Sequence, residues 1–215
     1  MDLGSPISSV IPSRHGVVLG VLARTTRPLS GRAVAELSNG RIDQKWASKV
    51  LRELAAAGVV IGEDQPPAKL WSLNRCHLAA ESVVALAEMR SRLISMLEER
   101  IALWTVAPFA AWLFGSAARG DGDVASDVDV AVIRRDRVDE EDPQWREQLN
   151  VLSDDVWAWT GNVCALVEYS ETEFDALVSG GERLPTEIGR DGLLLAGHNG
   201  LRPGASGAIT DRVNR

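Results

Sequence analysis

The 215-residue chain has little of the chemistry that builds metal clusters or disulfide scaffolds. Its only cysteines are Cys76 and Cys164, and its only histidines are His15, His77 and His198. None of them falls at metal-ligand spacing, so no structural zinc site is expected. Two scattered thiols point to a reducing, cytoplasmic location. No apolar run is long enough to span a bilayer, so no membrane partner is expected. The first residues, MDLGSPISSVIPSR, lack a basic start followed by an apolar stretch, which argues against a secretory leader. There is no internal repeat and no low-complexity block. What the chain does have is 45% hydrophobic residues, ample for globular cores, and a length that suits one large or two small domains.

Charge divides the chain. Residues 14–75 carry ten Lys or Arg against five Asp or Glu, a net of +5, and the remainder carries thirteen against twenty-five, a net of -12. A basic first part suits a polyanion, whereas an acidic second part must recruit a cation before it welcomes a phosphorylated substrate.

The most informative stretch is Leu113 to Ile133, LFGSAARGDGDVASDVDVAVI. Asp127, Asp129 and Ala131 alternate with Val128, Val130 and Val132, which is the period of a β-strand. Residues two apart on a strand share a face, which sets the two carboxylates about 6 to 7 Å apart on one side. A carboxylate pair on a rigid strand suits Mg²⁺ or Mn²⁺, hard cations that bind through one or two carboxylates plus substrate phosphates. Upstream, Gly115 permits close backbone approach, Ser116 supplies a hydroxyl, and Arg119 has the fork that pairs with phosphate.

Gly115-Ser116, ten residues, then Asp127-Val128-Asp129 resembles the signature of the DNA polymerase β-type nucleotidyltransferase superfamily. GSAARG followed by SDVDVAV is especially similar to its small bacterial branch, the minimal nucleotidyltransferases. The resemblance covers roughly residues 106–197. It implies in-line attack on the α-phosphate of a nucleoside triphosphate, with Asp127 and Asp129 holding the metal. Ser116, Gly115 and neighbouring backbone amides would grip the outer phosphates, with Arg119 beside them. Family members usually add a third acid from a neighbouring strand. Glu168 is the candidate here; in another alignment that slot falls on Cys164 and the pattern is incomplete.

Earlier in the chain, a helix from His15 to Ala23, a short helix after the N-cap candidate Ser30, an Asn39-Gly40 turn, and a helix from Asp43 to about Ala57 precede the apolar Val59-Val60-Ile61. A polar loop at 62–68 would return on Lys69 to Leu73. This order resembles bacterial winged helix-turn-helix regulators. In such folds the second helix of the motif enters the major groove, here presenting Gln44, Lys45, Ser48, Lys49 and Arg52, with Arg41 and Lys69 near phosphates. Residues 1–13 read as a loose tail.

Leu86, Met89, Leu93, Leu97, Ile101 and Trp104 repeat at three and four, the period of an amphipathic linker helix that could seal on its own domain or on a second subunit. Glu88 and Arg92 are spaced as a helical ion pair. Beyond the acid-bearing strand, Asp142-Pro143 opens a helix with the stripe Trp145, Leu149, Leu152, Val156 and Trp159. Asn162 to Tyr169 is a third strand, and Ser170 with Glu173 has capping-box spacing.

The expected architecture is therefore α/β (α+β). It comprises a winged helix-turn-helix at 14–74, a linker helix at 75–104, a mixed-sheet nucleotidyltransferase domain at 105–198 and an irregular tail at 199–215. The expected function is metal-dependent transfer of a nucleoside monophosphate from a triphosphate to a hydroxyl, coupled to double-stranded DNA binding. A protein acceptor, a cognate toxin or antitoxin, and a homodimer are the partners considered. The alternative is a DNA-binding regulator whose nucleotidyltransferase-like domain only senses nucleotide.

Overall fold

The computed structural model describes residues 1–197; His198 and the tail expected at 199–215 lie outside the described residues. The chain divides into two units, one spanning Asp2–Ser91 and the other beginning at Arg92 and taking in Met1. Helices and strands are mixed in both, in line with the α/β expectation. Among the described residues no helix is long and apolar enough to cross a membrane.

The first unit contains α1 (Pro6–Val10), α2 (Arg14–Ala23), β1 (Leu29–Ser30), α3 (Gly31–Leu37), α4 (Gln44–Ala56), β2 (Val60–Gln65), β3 (Ala68–Leu73) and α5 (Ala80–Ala87). The strands form an antiparallel sheet in the order β1-β3-β2. Ser30 and Asp43 cap α3 and α4 by accepting from the backbone N–H groups of Ala33 and Trp46. Each cap satisfies a donor that the first turn of a helix leaves orphaned. Ala47, Val50, Leu51 and Leu54 form the buried face of α4 and join Val18, Leu22, Val34, Trp71 and Leu73 in one core.

Three expectations change in this unit. The first residues are not a loose tail, because Pro6–Val10 is helical and Leu3 and Ile7 are buried. The unit is also wider than 14–74, because α5 packs on α2 and α1. The polar loop shrinks to Pro66 and Pro67, since β2 and β3 pair out to Gln65 and Ala68. The linker is two helices rather than one: α5 stops before Glu88, and α6 (Met89–Ala102) follows. Arg92 consequently pairs with Glu99 at 3.2 Å, not with Glu88.

The second unit holds most of α6, then β4 (Ala110–Phe114), α7 (Gly115–Arg119), β5 (Val128–Arg134), α8 (Pro143–Thr160), β6 (Cys164–Ser170), α9 (Glu171–Ser179), α10 (Arg183–Asp191) and β7 (Leu193–Ala196). The sheet order is β6-β5-β4-β7, with β5 and β6 parallel and β4 antiparallel to both β5 and β7. Paired residues in the register share a face. One face carries Trp112, Phe114, Asp129, Ala131, Ile133, Ala165 and Val167, and its apolar members pack with Phe174 of α9 and Ile188 of α10. The other carries Leu113, Val128, Val130, Val132, Cys164 and Glu168 and meets α8. The Asp142 cap and the Ser170–Glu173 capping box form as expected. Helix α10 was not anticipated.

Candidate functional site

The site is built where β4 ends and β5 begins. Phe114, the last residue of β4, is level with Asp129 in the antiparallel register. The next residue, Gly115, adopts φ +66°. A Cβ there would lie 2.1 Å from Asp129 Oδ2, so both the backbone conformation and the contact demand glycine. The approach sets the Gly115-Ser116 turn directly against the carboxylate. Gly122 does similar work on the far side, because a Cβ there would lie 3.0 Å from Ser116 Oγ. The loop before Asp127 is held by Asn162, which is buried and donates from Nδ2 to the Ser126 carbonyl at 2.8 Å.

Asp127 is exposed and Asp129 is half-buried. Among the described residues no side chain donates a hydrogen bond to either carboxylate or forms an ion pair with it. Burial raises the pKa of Asp129 above the ordinary carboxylate value; repulsion from Asp127 and then Glu187 adds to the rise, and Arg119 partly offsets it. Two carboxylates that repel each other, Asp129 on β5 and Asp127 just before it, with no described side chain to pair them, are a donor set that a divalent cation would relieve. Among the described residues no group of three His, Cys, Asp or Glu side chains is arranged to hold a metal. The residues present therefore fit a cation held by the Asp127–Asp129 pair, with substrate oxygens completing the shell.

Arg119 lies near these acids but is not a free phosphate fork. Its Nε donates to Asp121 at 3.0 Å, and its Nη1 is 3.7 Å from Asp191 at the end of α10. Helix α10 thus brings two acids towards the site that sequence reasoning missed, Glu187 and Asp191. A signal existed in Leu184 and Ile188 one turn apart, beside Arg183 and Glu187, which pair at 2.7 Å.

Glu168 does not join the site. It is level with Val132, three residues along the strand from Asp129, and odd spacing puts it on the opposite face of the sheet. There it accepts from Arg134 Nε and Trp145 Nε1, both at 2.7 Å, with Arg146 at 3.7 Å. Arg134 is itself buried and also donates to the Val138 carbonyl. A carboxylate held partly away from water is tolerated when paired and hydrogen-bonded in this way. Cys164, the other alignment, shares the face of Glu168; burial pushes its thiol up to about 11. Level with Asp129 on β6 stands Ala165, which carries no acid.

In the first unit, Lys45, Lys49 and Arg52 are exposed along α4. Gln44 is exposed beside them. Ser48 turns the other way: it is half-buried, and its Oγ lies 2.8 Å from where a Cβ on Gly31 would stand. Arg41 is engaged with Asp2 at 2.6 Å, and Lys69 stands 3.4 Å from Asp64.

A mixed sheet thus presents a carboxylate pair beside a glycine-serine turn. Residues 93–179 match the model of the nucleotidyltransferase domain family. The match supports an enzyme of that type. The match stops before α10 and β7 and leaves the first unit uncovered. No curated protein sequence matches the chain. Among solved structures, a mutant of the MntA–HpeT toxin–antitoxin pair is similar over 51% of this chain and 74% of that one, with 19% identity and a TM-score of 0.33. A likeness of that size carries no argument about fold or function.

Proposed function

We propose that the protein transfers a nucleoside monophosphate from a nucleoside triphosphate to an acceptor hydroxyl in a Mg²⁺- or Mn²⁺-dependent reaction. We further propose that its first unit is a winged helix-turn-helix that binds duplex DNA. The observation that carries the first part is the Asp127–Asp129 pair, without a side-chain partner among the described residues and set against the Gly115-Ser116 turn, inside a segment that matches the nucleotidyltransferase domain.

The acceptor oxygen attacks the α-phosphorus, the bond to the β-phosphate oxygen breaks, and pyrophosphate leaves with the acceptor proton passing to solvent or a nearby acid. A cation held by Asp127 and Asp129 would neutralise phosphate charge. Strand β5 positions Asp129, and the loop held by Asn162 positions Asp127 just before it, which sets substrate orientation before reaction. Ser116 contributes a hydroxyl suited to an outer phosphate oxygen. Gly115 lets the turn close directly onto Asp129, which brings the turn's backbone beside the carboxylate. Arg119, already tied to Asp121 and Asp191, holds the turn against α10 more than it grips substrate. The acidic surroundings favour a protein hydroxyl over RNA as acceptor, in keeping with a toxin–antitoxin or defence role.

For the first unit, the support is the order of its elements, with a two-helix pair followed by a β-ribbon, and the exposed row Lys45, Lys49 and Arg52 on the second helix of the pair. That helix is the one such folds lay in the major groove.

The alternative, a DNA-binding regulator that senses nucleotide without turning it over, draws on Ala165: the strand beside Asp129 supplies no third acid. One experiment separates the two. The full-length protein is incubated with each α-labelled triphosphate, Mg²⁺ and cell lysate, beside Asp127→Asn and Asp129→Asn variants. Label transferred by the wild type and lost in both variants supports catalysis. Saturable triphosphate binding without transfer supports sensing.

A further inference from the structure

Within the first unit, a groove of about 750 Å³ opens between α1–α2 and α4, lined by Arg14, His15, Arg41, Trp46, Lys49 and Glu53 among others. Its size falls in the range of roughly 300–1,000 Å³ typical of small-ligand sites. Its wall is organised around Trp46. The Arg14 guanidinium carbon lies 3.9 Å from the centre of the indole ring, and Lys49 Nζ lies 4.8 Å from it. Two flexible cations are thereby held against one rigid aromatic plate, which lowers the conformational entropy still to be lost when they grip a ligand.

The charges do not cancel. Glu53 is the acid on this wall, and it is already engaged: His15 Nε2 stands 3.0 Å from it and Lys49 Nζ 3.9 Å. Arg41 is matched by Asp2. Arg14 has no carboxylate partner among the described residues. A concave surface with an ordered, unmatched guanidinium beside an ammonium is chemically complementary to a compact polyanion.

We propose that this groove is a phosphate-binding site, of a size to take a nucleotide, with Arg14 and Lys49 as its cationic grip and Trp46 as the plate that orders them. It stands apart from the Asp127–Asp129 site and needs no metal. The phosphate can belong to a free nucleotide or to a DNA backbone passing α4, since Lys49 belongs both to the groove and to the exposed row.

The test uses the full-length protein in EDTA, which disables the metal-dependent site and leaves the groove intact. Calorimetric titration with inorganic pyrophosphate and with ATP is expected to show saturable binding. Arg14→Glu should weaken it at least tenfold, and Trp46→Ala several-fold, with Trp46→Phe retaining most of it. Both Arg14 and Lys49 are exposed, so Lys49→Gln provides a second variant with no folding penalty, checked by thermal melting. If Arg14→Glu also weakens binding of a short duplex tenfold and the duplex displaces pyrophosphate, the phosphate is that of DNA. If duplex affinity is unchanged while pyrophosphate and ATP binding are lost, the ligand is a free nucleotide. Wild-type affinity for pyrophosphate, ATP and duplex in folded Arg14→Glu and Lys49→Gln overturns the proposal, whatever becomes of the catalytic reading.

Discussion

Asp129 and Glu168 stand on adjacent parallel strands of one sheet, yet they have opposite surroundings. Asp129 faces the side where β4 breaks into the Gly115-Ser116 turn, and no side chain among the described residues pairs with it. Glu168 faces α8, where Arg134 and Trp145 both donate to one of its oxygens at 2.7 Å. A carboxylate left without side-chain partners on a rigid strand holds lone pairs open for a ligand. A carboxylate tied through one oxygen to a buried arginine and an indole is held in place on the supporting side. The two faces of the sheet therefore differ in that one presents an open carboxylate and the other a tethered one.

The sharpest way to break that comparison is to remove support. Trp145→Ala deletes a fully buried indole and should destabilise the second unit by about 3–5 kcal/mol. Arg134→Ala leaves Glu168 with Trp145 and the more distant Arg146 and should cost less than Trp145→Ala. Chemical denaturation, with the midpoint of unfolding as the readout, checks both. Loss of transfer activity should follow loss of folded protein and no more.

The Asp129 face should behave in the opposite way. Asp127→Asn and Asp129→Asn should each lower transfer by more than the roughly 10–100-fold that loss of an outer-shell metal partner costs, with stability unchanged or slightly raised. Initial rates against metal concentration, alongside melting curves, give both numbers. Glu168→Gln should leave the rate per folded molecule within a few-fold of wild type; a drop as large as that of Asp129→Asn would return Glu168 to the chemistry.

Gly115→Ala tests the hinge between the faces. The added methyl collides with Asp129 Oδ2 and must adopt φ +66°. A loss of stability of about 1–2 kcal/mol is expected with a larger loss of activity than of folded protein. Equal losses would make Gly115 a folding residue alone.

Smaller effects come from charge. If α4 binds duplex DNA, each of Lys45→Ala, Lys49→Ala and Arg52→Ala should shift the log–log salt slope of binding by about 0.9 towards zero; an unchanged slope in all three removes the helix from the interface. Smallest of all is a titration effect. Because Asp129 holds its proton more tightly when folded, the metal-free protein loses a little stability as pH climbs from the ordinary carboxylate value through the raised one. Asp123, Asp136 and Glu173 are held below their usual values by hydrogen bonds and act with the opposite sign. The difference in melting temperature between wild type and Asp129→Asn cancels their contribution and should widen with pH over that window.

Local chemistry determined much of this protein. The Asp127–Asp129 alternation, the caps at Ser30, Asp43, Asp142 and Ser170, and the stripes of α4 and α8 depend on neighbours within a turn or two, which the order of residues states directly. Tertiary structure decided the rest. Glu168 is separated from Asp129 by pairing register between distant segments, and a shift of one residue would have put it on the other face. Arg119 is claimed by Asp121 and Asp191 and Arg41 by Asp2, while Ser48 is half-buried against Gly31. The N-terminal residues became a helix because Leu3 and Ile7 found a core to bury in, and α10 reached the site from beyond the motif. In each case the deciding partner lies far away in sequence or at a spacing that carries no period. The order of residues could nominate these side chains, and packing chose which of them remained free to act.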